Sequence, residues 1–148
     1  ISKKPLAQFF QETVFNQFGS SGFMQWMADK LGTTVSFSEL KMTARDWANF
    51  GQFLMTQKQS NSCLGKFFNE GVKKSVKTRK KNRSKYGFQS WVFDVHGQPS
   101  MVLQGHGGQF LVLDEKTNTI LLTISLNENY KVGNLFSDIG AITESLAE

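Results

Sequence analysis

The sequence predicts an α+β protein, on three observations. Apolar residues recur at helical spacing in the first half of the chain. From Tyr86 onward the pattern shifts to short β-rich runs separated by tight turn signals. A last helical stripe then closes the chain. Fourteen phenylalanines and three tryptophans in 148 residues supply enough apolar bulk for a packed core and exclude a disordered chain.

The elements follow in order. Pro5 suits a first helical turn, and Leu6, Phe9, Phe10 and Val14 continue at roughly helical spacing to a stop at Gly19. The next stretch mixes signals. Gly22, Gly32 and Thr33 read as loop, whereas Phe23, Met24, Trp26 and Met27 call for burial. Thr43 followed by Asp46 forms a capping-box variant for a helix whose apolar face is Trp47, Phe50 and Leu54. Gly51 within it implies a close approach of another element. A short helix is expected near Gly65–Val72.

Residues 73–85, "KKSVKTRKKNRSK", hold nearly half of the lysines and arginines and have no sustained apolar period. They read as a solvated basic loop. The chain thus divides into 1–72, mainly helical, 73–85, a basic loop, and 86–148, an antiparallel sheet with a closing helix. Four strands are expected, Tyr86–Val95, Ser100–Gln104, Gln109–Asp114 and Thr119–Leu126. Their short connections imply antiparallel pairing. The last two runs are apolar on both faces, as in a sheet covered on both sides. Val132, Leu135, Phe136, Ile139, Ile142 and Leu146 mark the helix that lies on it.

The single cysteine, Cys63, excludes an internal disulfide. Cys63, His96 and His106 lack metal-site spacing, so neither a metal nor another cofactor is expected. No apolar run reaches membrane-spanning length. The net charge of +5 is moderate. The basic run is the one candidate for an anionic partner, but no aromatic lies between Phe68 and Tyr86 to stack on a base, and nucleic acid is not expected. Compartment is left open by the sequence.

One motif carries chemistry. In "QGHGGQF" three glycines surround His106 just before an apolar strand. Glycine weakens a strand, so its use here implies a bulge or a close approach by another group. Taken in order, "LAQFFQETVFNQFG", "LKMTARDWANFGQFLM", "YGFQSWVF" and "GHGGQFLVLDEKTNTILLTIS" resemble the C-terminal portion of the serine β-lactamase and penicillin-binding-protein-like hydrolases. The class C β-lactamase-related branch of esterases, D-amino-acid peptidases and 6-aminohexanoate-dimer hydrolases is the nearest.

That resemblance implies a β-lactamase/transpeptidase-like fold. His106-Gly107-Gly108 would stand at the Lys-Thr-Gly or His-x-Gly element, on a strand alongside which substrate lies as an added strand would. The Gln109 backbone N–H would be an oxyanion-hole donor, Gly107 and Gly108 would line the substrate, and His106 would donate a hydrogen bond or relay a proton. The substrate class implied is a small ester, amide or peptide. No Ser-x-x-Lys stands where the family has its nucleophile. "SELK" at 38–41 fits only the letters, and Tyr130 is not followed by the family's Asn. The resemblance therefore implies the C-terminal part of a serine hydrolase, inactive alone, with a sheet edge left open for self-association. Two alternatives stand beside it: a non-catalytic interaction domain with the same sheet, and a basic binder of nucleic acid or anionic surfaces.

Overall fold

The computed structural model describes residues 3–19, 21–79 and 84–146. The class is α+β, with a six-stranded antiparallel sheet, a two-stranded sheet and flanking helices. The chain divides into two compact units, Ile1–Phe53 and Leu54–Glu148.

In the first unit Leu6–Phe10 (α1), a π-helical turn Gln11–Phe15 and Asn16–Phe18 (α2) form one continuous helical run. Met24–Trp26 (β1) pairs antiparallel with Leu40–Met42 (β2). Helix α3, Ala44–Gln59, begins here. Its cap is the one expected. The Asp46 N–H donates to Thr43 Oγ1 at 3.1 Å and Thr43 Oγ1 donates to Asp46 Oδ2 at 2.8 Å. Asp46 is fully buried, and Ser21 donates to it through both its hydroxyl and its N–H. The core is aromatic. Phe50 lies within ring-contact distance of Phe10, Phe18, Trp47 and Phe53. Two expectations are corrected here. Residues 1–72 are mainly in helices, and 24–42 add a small two-stranded sheet in a stretch that reads as loop in the sequence. Phe23 and Met27 are about half exposed, because β1 is only three residues long and has a single strand to pair with.

The second unit contains the end of α3, α4 (Cys63–Lys73) and a meander of six strands. These are β3 (Val76–Lys77), β4 (Lys85–Gly87), β5 (Ser90–Val95), β6 (Gln98–Gln104), β7 (Phe110–Asp114) and β8 (Thr119–Thr123), followed by α5 (Val132–Leu146). Ser62 caps α4, its Oγ accepting from the Gly65 N–H at 3.0 Å. Phe93, Val95, Val102, Phe110 and Val112 form one sheet face and pack with Leu135 and Ile139 of α5. Val92, Met101, Leu111 and Leu113 point the other way and are also buried. All of β7 is buried, as its two-sided apolar pattern predicts. Strand β8 departs from that expectation. All five of its residues are half-exposed, because it lies at the sheet's edge.

Three further expectations are corrected. Tyr86–Val95 is not one strand but a hairpin, β4–β5, turning at Phe88 (φ 45°) and Gln89 (φ 66°). The left-handed conformation of both residues is the signature of a type I′ turn, which asparagine and glycine usually supply, so sequence did not announce it. The basic segment is structured at both ends: Lys73 ends α4, and Val76 and Lys77 pair with Tyr86 and Lys85. Residues 80–83, the centre of the proposed basic loop, lie outside the described residues. Ile142 belongs to the expected stripe but is 42 % exposed.

Helix α4 meets β4 backbone to backbone. A Cβ at Gly87 would stand 2.1 Å from the Gly71 carbonyl oxygen, and one at Gly71 would stand 2.9 Å from Phe88 Cβ. The Phe67 and Phe88 rings close the joint at 5.0 Å. Gly87→Ala is expected to destabilise the chain by about 1–3 kcal/mol through overpacking against backbone that cannot yield. Urea denaturation monitored by tryptophan fluorescence checks this. Gly97→Ala, which meets no atom within 4 Å, is the control for backbone strain alone.

Candidate functional site

The "QGHGGQF" segment is the β6–β7 turn. The Gly105 N–H donates to the Gln109 carbonyl at 2.9 Å and closes it, while Gly107 (φ 70°) and Gly108 (φ 86°) occupy the left-handed region that a side chain disfavours. His106 is carried to the tip, its side chain 91 % exposed. Gln109 is also exposed, one residue before β7. The four residues singled out in sequence are therefore brought together in one turn.

The turn forms one wall of a cleft of about 510 Å³, and the segment leading into α5 forms the other. This second wall is held by a succession of side-chain turns. The Asn127 N–H donates to Ser125 Oγ, the Asn129 N–H to Asn127 Oδ1, and the Lys131 N–H to Asn134 Oδ1. It presents Glu128, Tyr130 and Lys131 to the cleft. Glu128 Oε1 lies 3.5 Å from His106 Nε2. With His106 protonated the two form an ion pair, but at 80 % and 91 % side-chain exposure water screens it heavily.

Tyr130 explains Gly108. A Cβ at Gly108 would stand 2.8 Å from Tyr130 Cβ and 3.0 Å from its ring. The Tyr130 ring leans on Phe110, and its hydroxyl donates to Asp138 of α5. Burial, reinforced by the hydrogen bond to Asp138 and that residue's negative charge, pushes the phenol up to about 12. The phenol is thus a proton donor across the physiological range. The glycine at 108 makes room for the chain's own tyrosine. Sequence reading missed Glu128, Tyr130 and Lys131 as site residues. Their one signal was a polar segment standing directly between a strand and an apolar helix.

Strand β7 pairs with β8 along its whole length and with β6 over Phe110–Val112. It is not an edge strand, and a ligand cannot add alongside it as the resemblance implies. Only the turn residues 105–109 lie beyond the end of β6. Ser38 is exposed and stands before β2 rather than on a helix, so Lys41, three residues on, does not share a helical face with it. The Ser38 carbonyl accepts from Trp26 Nε1 at 2.9 Å.

The opposite end of the sheet holds a second polar cluster. The β5–β6 turn, His96-Gly97, has both residues in the left-handed region. His96 Nδ1 lies 2.6 Å from Asp114 Oδ2. Asp114 is wholly buried at the end of β7 and also accepts from Thr117 Oγ1 at 2.7 Å and the Lys116 N–H at 3.1 Å. Lys116 Nζ reaches back to the His96 carbonyl at 2.9 Å. Burial presses the Asp114 carboxyl upward, but the hydrogen bonds from Thr117 and His96 outweigh it and hold its pKa below the ordinary value. Beside this cluster Lys58, its side chain 1 % exposed, pairs with Glu115 at 3.1 Å and with Asn69 at 2.8 Å. The His96 side chain is only 25 % exposed because Asp114 draws it in.

Among the described residues no group of three or more His, Cys, Asp and Glu is placed to hold a metal ion, and no helix is long and apolar enough to cross a membrane. No family model matches the sequence, and no curated protein matches it.

A carboxyl whose pKa is depressed by folding stabilises the fold above its unfolded value, near 3.8, and that contribution is lost as pH falls through the lower folded value. Asp114→Asn is therefore expected to lower the urea midpoint at neutral pH and to converge on the wild type in acid below that window. At neutral pH the loss is about 1–3 kcal/mol, the cost of weakening hydrogen bonds to a buried charged acceptor. Urea titrations at a series of pH values test both sign and window. At the other end of the sheet, Gly108→Ala is expected to cost about 1–3 kcal/mol from its positive φ and the Tyr130 contact. The Tyr130→Gly background removes the Tyr130 Cβ as well as the ring and should recover part of that loss.

Proposed function

We propose that this chain forms the oxyanion side of the active site in a serine acyl hydrolase related to the β-lactamases and penicillin-binding proteins. The nucleophilic serine and its lysine come from residues outside these 148. The observation that carries the reading is the pair of left-handed glycines, Gly107 and Gly108, which project His106 to the mouth of a cleft opposite Glu128. Backbone exposed at such a turn can lend an N–H to a developing oxyanion without a side chain in the way. In this reading the donor is the Gln109 N–H. His106 binds a substrate carboxylate or passes a proton, and Gly107 and Gly108 leave room for the acyl group. The substrate class is a small ester, amide or peptide.

Acyl transfer by this route needs the serine, so the chain alone is expected to form no covalent adduct with a fluorophosphonate or β-lactam probe. Intact-mass spectrometry reads the outcome. A stoichiometric adduct on this chain would overturn the assignment and make Ser38 the first residue to examine. In a longer chain carrying Ser-x-x-Lys, ester hydrolysis should fall about 100-fold or more in His106→Ala if the histidine moves a proton. Gln109→Ala should retain most activity, because the backbone acts there. Gly108→Val should be the most damaging, since it breaks the turn and displaces Tyr130 as well as blocking the cleft.

One observation favours a second reading, an anionic surface bound by the β3–β4 hairpin. Lys77 and Lys85 are direct cross-strand partners, both exposed, and like charges in that position destabilise a sheet. An anionic partner would relieve the repulsion. Its mark is an affinity for heparin that falls steeply with salt.

A further inference from the structure

Beside the Asp114 cluster lies a cleft whose own residues do not balance its charge. It has a volume of about 530 Å³ and runs between α4, the start of β6 and the β7–β8 turn. Three lysines line it, Lys58, Lys73 and Lys116, against one carboxylate, Glu115. All four belong to the second unit.

Each ammonium is poorly matched. The Lys58 side chain is 1 % exposed, and a charge so deeply buried is costly unless acceptors surround it. It donates to one neutral acceptor, Asn69 Oδ1, and its ion-pair partner Glu115 is itself 38 % exposed. Lys116 Nζ also rests on a neutral acceptor, the His96 carbonyl. Lys73 stands 4.0 Å from Glu70, whose other oxygen Lys74 holds at 2.8 Å. Asp114, at the end of β7, is wholly buried and enclosed by His96, Thr117 and the Lys116 N–H.

We propose that this cleft binds the phosphate group of a small phosphorylated molecule. Three lysines against one glutamate leave a charge of +2. A phosphate monoester carries about −1.5 to −2 near neutrality and would cancel it. The lysines reach the cleft from three elements, the end of α3, α4 and the β7–β8 turn. No arginine is among the lining residues. Arginine's planar fork matches a carboxylate, whereas separate ammonium groups act as point charges and suit a tetrahedral oxyanion. The volume lies in the range of small-molecule clefts, and Val72 and Pro99 give it an apolar wall beside the charges. The groups are also held in place beforehand. Asn69 Nδ2 donates back to the Lys58 carbonyl at 2.8 Å, and Asp114 fixes the turn that carries Lys116. A ligand therefore orders little on entering. The inference does not rest on the hydrolase reading.

The test is an NMR titration of the ¹⁵N-labelled chain with phenyl phosphate, inorganic phosphate and, at matched ionic strength, sodium chloride. Phenyl phosphate should bind saturably, at least as tightly as inorganic phosphate, and shift the amides of Lys58, Asn69, Gln98 and Lys116. Lys116→Gln, at an exposed position, should weaken binding about 10-fold, the loss of one charge-assisted contact. Lys58→Met should do the same, with folding checked by circular dichroism. Glu115→Gln should bind more tightly than the parent chain, because it removes the carboxylate that competes for Lys58. Lys77→Gln/Lys85→Gln should bind as the parent does. Several results overturn the proposal: shifts that sodium chloride reproduces, shifts centred on Lys77 and Lys85, binding of inorganic phosphate without phenyl phosphate, or an affinity unchanged in both Lys116→Gln and Glu115→Gln.

Discussion

The second unit depends on one constraint: β7 is buried along its whole length, on both faces. Such a strand cannot leave a backbone polar group unpaired, and it needs apolar cover above and below. Strand β8 pairs with it throughout, β6 pairs with it over Phe110–Val112, and α5 supplies one of the two covers. The strand must also end somewhere, and both of its ends are polar. At one end Asp114 is sunk completely, so it gathers His96, Lys116 and Thr117 around it and thereby fixes two turns at once. At the other end the chain leaves the core through glycines, and the cleft opens there. The two polar clusters of this unit are the two exits of one buried strand.

The arrangement divides labour between the ends. The Asp114 end is closed, hydrogen-bonded and charged in a way that opposes movement. The His106 end is open, with side chains held by short local turns and with His106 and Glu128 exposed to water. A site that must move to admit a ligand belongs at the second kind of exit, and a structural anchor at the first. Tyr130 links the open end to the core by lying against Gly108 and reaching Asp138 on α5.

Sequence made some of this legible and concealed the rest, for physical reasons. The cap at Thr43 and Asp46, the helix near Gly65, and strands β6 and β7 each carry a local signal, and each lies within a few residues of its expected place. The β4–β5 turn did not, because Phe88 and Gln89 adopt conformations that their residue types rarely take and are held there by Phe67 and the Gly71 approach. The turn at His106 was legible as a glycine cluster. The reason for Gly108 was not, because Tyr130 lies twenty-two residues downstream. The His96–Asp114 pair was hidden by the same kind of separation, across two hairpins of the sheet.

The order of the strands has a kinetic consequence. In the six-stranded sheet every neighbour in space is also the neighbour in sequence. The connections within β4 to β8 are short, the two tightest being Phe88-Gln89 and His96-Gly97. A meander of this kind closes small loops at each step and waits for no distant segment to arrive. Its hairpins can form on the microsecond scale characteristic of such units, roughly 1–10 μs each, and be captured by α5, which follows β8 directly in sequence. Asp114, whose partners span β5 to β8, is then the group that converts a row of locally formed hairpins into one cooperative sheet.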